Sequence, residues 1–207
     1  MKLPPEFLAR LGILVVPDFL DRETCDRMTR EMIERSGERA TVTVQLDQDE
    51  LAERYRSTTI ADVSAETVDE LKEKLLGLEG KLENAFSLDL DGCEKPQFLL
   101  YGEGDFIRPH SDGSHDDDAP DWLRNRAVAT VVFLNDQSED DALGTFGGGS
   151  LNFLDLLSDV SRDKTVGLPI TPAAGLLVAF KADVVHEVTE VTRGDRCTAV
   201  TWFASPE

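Results

Sequence analysis

The chain has 207 residues, of which 41% are hydrophobic, and its 21 basic against 41 acidic residues give a formal net charge of −20. This hydrophobic content predicts a compact globular protein with a substantial core and excludes a disordered polyanion. The acidic excess, without a cluster of lysine and arginine, disfavours nucleic acids and anionic membranes as partners. It favours a neutral or cationic substrate.

Neither a membrane span nor a signal peptide is indicated. No run of about 18 apolar residues occurs, and Met1–Glu6 does not begin a secretory leader. We therefore expect a cytoplasmic location. The cysteines, Cys25, Cys93 and Cys197, are scattered and odd in number, which predicts reduced thiols rather than a disulfide framework. The sequence leaves the oligomeric state open.

A first helix is predicted from about Arg22 to Ser36. Asp21 or Asp18 would cap its start and Gly37 would end it. The residues expected to face the core are Cys25, Met28, Met32 and Ile33.

A second helix is predicted from near Ser64 or Thr67 to about Phe86. Gly77 and Gly80 predict a bend or break within it, because glycine is unfavourable inside a helix. Its apolar stripe consists of Leu71, Leu75, Leu78 and Leu82. Extended segments are expected at 41–44 and 58–60.

From Lys95 onward, short apolar segments separated by glycine, proline and aspartate predict strands. They lie at about 97–101, 105–112, 126–134, 149–154, 175–180, 184–189 and 196–203. Residues 155–166 are expected to form a short helix or a loop. The pattern predicts one mainly β (α+β) domain over 1–207, a barrel or jelly roll with the helices packed outside it.

A possible metal site is indicated by His110-Ser111-Asp112 and by His186, which follows after some 70 residues. On an extended strand His110 and Asp112 point to the same face. Two imidazoles and one carboxylate form the ligand set of non-haem Fe(II) oxygenases, which leaves coordination positions open. A second His-x-Asp copy begins at His115, but it lies among Asp, Ser, Gly and Pro residues, so His110 is favoured as the ligand.

Five blocks in this order resemble the 2-oxoglutarate and Fe(II)-dependent dioxygenases, in the prolyl 4-hydroxylase-like branch. They are Tyr101-x-x-Gly104 with His110-Ser111-Asp112, then 126–135, 147–153 and 172–180, and finally His186 through Arg196 to Trp202-Phe203. The resemblance covers roughly Gln97 to Phe203.

The resemblance implies a double-stranded β-helix (jelly roll, cupin-like), with residues 1–94 as supporting helices and strands and 95–205 as the catalytic core. It implies that His110, Asp112 and His186 bind Fe(II). It also implies that Arg196 and Tyr101 bind the distal carboxylate of 2-oxoglutarate, a role for which a guanidinium fork is well suited. Dioxygen is then a co-substrate, and ascorbate is a candidate reductant.

The implied reaction is hydroxylation of a peptidyl residue, with proline as one candidate, or of a free amino acid or similar small molecule, with release of succinate and CO2. Another oxidation such as demethylation, and a non-catalytic jelly-roll protein that only binds metal or 2-oxoglutarate, are the alternatives. The acidic loop from Gly113 to Asn125 follows the metal motif directly. It is expected either to favour cationic substrates or to be simply solvated. Trp202 and Phe203 are expected in the core.

Overall fold

The computed structural model describes residues 4–35, 56–154, 156 and 167–206. Its helices are α1 (Pro5–Arg10), α2 (Arg22–Arg35), α3 (Ala65–Leu76), α4 (Glu79–Phe86) and α5 (Asp121–Arg124). Its strands are β1 (Ile13–Val16), β2 (Arg56–Ser57), β3 (Thr59–Ile60), β4 (Gln97–Tyr101), β5 (Phe106–His110), β6 (Arg126–Phe133), β7 (Gly147–Gly148), β8 (Leu151–Phe153), β9 (Leu168–Ile170), β10 (Leu177–Lys181), β11 (His186–Val188), β12 (Val191–Arg193) and β13 (Arg196–Ala204).

Two antiparallel sheets form the body of the fold. One has six strands in the order β1-β10-β6-β13-β4-β3, and the other has five in the order β2-β5-β11-β8-β9. A separate pair, β12 and β7, completes the described strands. The predicted mainly β architecture, a double-stranded β-helix with N-terminal helices, is confirmed.

The two faces of the six-stranded sheet pack against different partners, because successive strand side chains alternate in direction. Along β6, Val128 and Val132 pack against the helices, whereas Val131 and Phe133 pack toward the five-stranded sheet. The helices therefore support the sheet from outside and leave the space between the two sheets for a site.

Helix α2 begins as predicted, and Asp21 is its cap: the Asp21 carboxylate accepts a hydrogen bond from the Thr24 amide at 2.7 Å. Cys25, Met28 and Met32 are buried, but the prediction for Ile33 was wrong, since it is 47% exposed. Each helical residue turns the chain by about 100°, so Ile33 lies off the face that the other three share.

The second predicted helix is two helices. Ser64 caps α3 by accepting from the Thr67 amide, and the helix ends at Gly77, before α4 begins. The expected break at this glycine is confirmed, whereas Gly80 lies within α4. Leu71, Leu75 and Leu82 are buried and Leu78 is partly buried against the same core.

Each strand predicted from 97 onward has an observed counterpart, and 97–101 matches β4 in full. The extended segment expected at 58–60 corresponds to β3. The helix end at Ser36 and Gly37, the extended segment 41–44 and most of 155–166 lie outside the described residues. Within the described part of the chain, no helix is long and apolar enough to cross a membrane.

Glu31 ties α2 to the start of α3. Its carboxylate accepts hydrogen bonds from the Ser64 amide at 2.7 Å and the Thr67 hydroxyl at 2.6 Å, and Arg35 lies 3.3 Å away. It thus serves as the acidic partner of a capping box, supplied by another helix. Burial acts to raise the pKa of Glu31, but the hydrogen bonds from Thr67 and Ser64 outweigh it and lower the pKa below its usual 4.5.

Replacing Glu31 with alanine should therefore lower the free energy of unfolding by about 1–3 kcal/mol, since two donors lose their acceptor. Glu34→Ala, an exposed position on the same helix, is the control and should change it by less than about 0.5 kcal/mol. Because the folded pKa is depressed, the Glu31 contribution is present above the unfolded pKa and is lost as the pH falls through the folded value. Urea titrations at about pH 7 and about pH 3 should show the difference between wild type and Glu31→Ala shrinking in acid. An equal effect at both pH values would contradict this role of the carboxylate.

The net charge of −20 makes a second prediction about stability. Like charges repel more strongly in the compact state, and salt shortens the Debye length from about 10 Å at 0.1 M to about 3 Å at 1 M. We expect the Tm to rise by about 5 °C or more between these two KCl concentrations. Chloride is preferred to sulfate for this measurement, because sulfate stabilises proteins by exclusion from their surface. A Tm that stays constant or falls would contradict the prediction.

Candidate active site

Strands β5 and β11 bring the two predicted histidines together. His110 ends β5 and His186 begins β11, and the antiparallel register places them directly opposite each other. Their ring centroids are 4.3 Å apart. The next register pair is Ile107 with Val188. The chain therefore advances three residues along β5 but only two along β11, and this difference is a β-bulge in β5. The bulge lets both His110 and Ile107 face the space between the sheets.

Asp112 follows the end of β5 and is held by its backbone. Its amide donates to the Ala182 carbonyl at 2.8 Å, and so does the amide of Gly113. A Cβ at Gly113 would lie 3.0 Å from both the Ala182 Cβ and the Arg126 carbonyl oxygen. Glycine therefore permits the tight approach that turns Asp112 back toward the histidines.

The three side chains converge. The Asp112 carboxylate oxygens lie 3.6 Å from His110 Nε2 and 3.5 Å from His186 Nε2. One ligand atom from each residue can be chosen so that all lie within 4.8 Å of one another. Across the described residues, this is the cluster of three or more potential ligands that could hold a metal ion.

Backbone carbonyls orient both imidazoles. His110 Nδ1 lies 2.9 Å from the Arg108 carbonyl oxygen, and His186 Nδ1 lies 3.0 Å from that of Val184. Each Nδ1 therefore carries the proton, which leaves Nε2 as a lone-pair donor aimed at the cluster. The Phe180 ring packs edge-on against the His186 ring, with the two ring centroids 4.7 Å apart, and limits the rotation of the imidazole.

The protonation states also suit a metal. Burial acts to raise the pKa of Asp112, but the electrostatic interactions with the His186 and His110 side chains outweigh it and lower the pKa to about 2. Burial lowers the pKa of His186. At neutral pH the cluster thus offers an ionised carboxylate and a neutral buried imidazole, the forms that bind metal ions.

The donor set fits Fe(II). Two ligands at about 2.1 Å from one octahedral ion and at right angles to each other lie about 3 Å apart. The separations of 3.6 and 3.5 Å between the Asp112 oxygens and the two Nε2 atoms are close to this value. Two imidazole nitrogens and one carboxylate are also the donor types of non-haem iron sites.

Arg196 and Tyr101 lie on the six-stranded sheet. They are directly opposite in the register of β13 and β4, and the guanidinium carbon is 4.7 Å from the Tyr101 ring centroid. Arg196 is 1% exposed, and its Nε has no hydrogen-bond partner. Burial lowers the pKa of Arg196. Its Nη1 donates a hydrogen bond to the Thr198 hydroxyl at 3.3 Å.

A cavity of about 60 Å³ joins all five predicted residues. Its other lining residues are Arg56, Leu99, Ile107, Val131, Leu151, Val188, Thr198, Val200 and Trp202. None of these nine was predicted as a site residue, and two of them, Arg56 and Trp202, carry a polar atom without a partner. Trp202 is buried as predicted, at 8% exposure, but its Nε1 has no partner, and neither has Nε of Arg56.

Arg126 connects the cavity wall to the acidic loop. Its guanidinium binds both carboxylate oxygens of Glu94, at 2.6 and 2.8 Å, and stacks 3.5 Å from the Trp202 ring centroid. On its other side the Trp122 ring lies 4.8 Å away, and Nη1 donates to the Asp112 carbonyl at 3.4 Å. Sequence reasoning missed this residue as well, because no local pattern marks it.

His115, the competing candidate, lies outside the cluster. Its side chain is 85% exposed and its Nε2 is 3.1 Å from Asp183. The preference for His110 therefore agrees with the geometry.

Residues 96–204 match the sequence model of the 2OG-Fe(II) oxygenase superfamily. The chain belongs to this superfamily. The predicted resemblance is thereby confirmed, and the five predicted site residues all lie within the matched region of this 2OG-Fe(II) oxygenase.

A PKHD-type hydroxylase of Methylobacterium nodulans is 32% identical over 144 residues, which are 68% of this chain and 57% of the relative. The chain spans about half the length of this relative and of two others: the match covers 43% of a PKHD-type hydroxylase from Klebsiella pneumoniae and 43% of one from Caulobacter vibrioides.

Two solved structures share the fold of this 2OG-Fe(II) oxygenase. A Pseudomonas putida prolyl-4-hydroxylase has a TM-score of 0.69 at 24% identity, with 98% of this chain and 97% of that chain covered. A prolyl hydroxylase from Trichoplax adhaerens, in complex with a peptide fragment of the hypoxia inducible factor oxygen degradation domain, has a TM-score of 0.64 at 18% identity, with 97% and 86% covered.

Proposed function

We propose that this protein is an Fe(II)- and 2-oxoglutarate-dependent dioxygenase that hydroxylates a peptidyl residue, with proline as a candidate, or a free amino-acid-like substrate. One observation carries the proposal. The His110, Asp112 and His186 cluster shares a cavity with Arg196, a buried guanidinium that lacks an acceptor for its Nε.

Each residue has a defined task in this proposal. His110, Asp112 and His186 hold Fe(II) through two nitrogens and one oxygen. Arg196 binds the distal carboxylate of 2-oxoglutarate, and Tyr101 packs beside it. This ligand carboxylate would supply the acceptor that the buried guanidinium lacks, and charge-assisted bonds of this type are among the stronger ones in proteins.

The apolar side chains that line the cavity exclude water and hold the co-substrate in one orientation. Bound Fe(II) and 2-oxoglutarate would supply the oxygen chemistry, in which one atom of O2 enters succinate, the other enters the substrate as hydroxyl, and CO2 is released. In total, substrate C–H, 2-oxoglutarate and O2 give substrate C–OH, succinate and CO2.

Incubation of the Fe(II)-loaded protein with 2-oxoglutarate, ascorbate and panels of proline-containing peptides and free amino acids tests the proposal. We expect succinate release that a substrate stimulates, together with a product heavier by one oxygen atom. A product that has lost a methyl group would indicate demethylation instead. The absence of succinate, despite tight binding of metal and 2-oxoglutarate, would favour a non-catalytic binding protein.

The acidic loop supports a cationic group on the substrate. Asp116, Asp117 and Asp118 are exposed, and both ends of the loop are attached near the cavity. His115 pairs with Asp183 at one end, and Arg126 stacks between Trp122 and Trp202 at the other. A local excess of negative charge raises the concentration of cationic substrates at such an entrance.

Neutralising the loop by Asp116→Asn, Asp117→Asn and Asp118→Asn should raise the KM for a lysine-containing substrate about three- to tenfold, since exposed charges contribute about 1 kcal/mol or less each. The KM for the matched glutamine-containing substrate should stay constant. A control variant with the same change in net charge neutralises three exposed acidic residues in and just before α3, namely Asp62, Asp69 and Glu73. If the KM for each of the two substrates is the same in the loop variant as in wild type, a role of the loop in substrate binding is excluded.

A further inference from the structure

Arg56 faces the cavity from the edge of the five-stranded sheet. It pairs with Ile107, which in turn pairs with Val188. Residues opposite each other in register point to the same face of a sheet. One inward row therefore crosses the sheet, consisting of Arg56, Ile107, Val188, Leu151 and Ile170.

Arg56 is the charged residue in that row, and the four other side chains of the row are apolar. Its Nε is buried without a hydrogen-bond partner, although the residue as a whole is only half-buried. Leaving a buried donor unpaired costs about 1–3 kcal/mol, and more when it is charged. Native proteins satisfy nearly all such groups, so an orphaned one that lines a cavity indicates a ligand.

The position of Arg56 relative to the metal cluster limits what the ligand can be. The row of Arg56 lies two residues along β11 from the row of His186, which is about 7 Å, and β2 adjoins β5, the strand of His110, at about 4.8 Å. An acceptor bound by the Arg56 guanidinium would therefore lie in the same cavity as the metal cluster, on the same face of the five-stranded sheet.

The co-substrate already has partners for its own oxygens in the proposed function. The metal would bind its keto-acid end, and Arg196 would bind its distal carboxylate. Arg196 lies on the other sheet, in β13. Arg56 is therefore available to bind the substrate, the molecule that is oxidised. A guanidinium matches a carboxylate bidentately and matches a single carbonyl less well.

We propose that Arg56 binds the carboxylate of the substrate, so that the substrate is a free amino acid or the carboxyl-terminal residue of a peptide rather than an internal peptidyl residue. This inference rests on the proposed function. Together with the acidic loop it selects a substrate that carries both a carboxylate and a cationic group.

Isothermal titration of the protein loaded with Mn(II) and 2-oxoglutarate tests the proposal without turnover. The probes are L-proline, L-lysine and L-arginine, each compared with its own amide. We expect at least one free acid to bind about tenfold or more tightly than its amide, a difference of about 1.4 kcal/mol. In Arg56→Gln this preference should fall below about threefold, and Arg56→Lys should keep part of it, because it retains the charge without the fork. Arg10→Gln, at an exposed arginine of α1, controls for net charge and should behave as wild type.

The outcomes separate the two proposals. If no free acid binds more tightly than its amide in wild type, or if the preference survives in Arg56→Gln, the assignment of Arg56 is wrong. If Arg56→Gln weakens 2-oxoglutarate binding to the Mn(II) protein tenfold or more, the guanidinium serves the co-substrate instead and the assignment is again wrong. A failure of wild type to bind 2-oxoglutarate would contradict the proposed function itself, whatever the acids and amides do.

Discussion

Replacing His186 with alanine should lower the affinity for Fe(II) or Mn(II) by well over 100-fold and abolish succinate formation. Removing a residue that only orients a ligand commonly costs 10–100-fold, and removing the ligand itself costs more. His186 is 4% exposed and has its Nε2 beside Asp112, so a solvent molecule has little room to replace it with the same geometry. Calorimetric titration of the metal into each protein measures the change in affinity directly.

The chain provides a matched control in His115. It also stands two residues before an aspartate, but it is exposed and contacts Asp183. His115→Ala should bind metal and release succinate as wild type does. Far-UV circular dichroism must show that His186→Ala is folded, because its ring packs against Phe180. Loss of metal binding in His115→Ala, with retention in His186→Ala, would reverse the assignment.

Long strands with sustained apolar character were predictable from the sequence, whereas strands defined by their partners were not. Segments 126–134 and 196–203 correspond closely to β6 and β13 because both carry sustained β-type apolar patterns. Strand β1 was missed: Ile13–Val16 is a four-residue apolar run without alternation, and its extended form depends on pairing with β10. Strand β7 consists of two glycines and exists through its pairing with β12.

The metal cluster could be predicted because two of its members are neighbours in sequence and the third is one of only three histidines. The bulge between Ile107 and His110 could not, because it is a property of the register with β11. Arg56 was missed for the same reason. It lies in a two-residue strand, and its direction follows from its pairing with Ile107, more than fifty positions away.

Replacing Arg196 with methionine should abolish 2-oxoglutarate binding and yet leave the ligand-free protein as stable as wild type or more so, by up to about 3 kcal/mol. The guanidinium is buried, its Nε is unpaired, and among the described residues no carboxylate forms an ion pair with it. Contact with the Tyr101 ring compensates only part of the desolvation, since a cation over an aromatic face contributes about 0.5–2 kcal/mol. Methionine fills a similar volume without a charge.

The opposite result is expected for Arg193→Met. Arg193 is half-buried, and its guanidinium donates to the Ser138 and Asp140 carbonyls at 3.0 and 2.6 Å and to Asp141 at 3.0 Å. Losing these bonds should destabilise the protein by about 1–2 kcal/mol and leave 2-oxoglutarate binding unchanged.

Urea unfolding and calorimetric titration of 2-oxoglutarate into the Mn(II)-loaded protein should therefore rank the two variants in opposite orders. Such a reversal is expected only where a buried charge is retained for a ligand rather than for the fold, because its desolvation is compensated when the carboxylate binds. Should Arg196→Met lose as much stability as Arg193→Met and still bind 2-oxoglutarate, Arg196 would be a structural residue and the co-substrate would have to bind elsewhere.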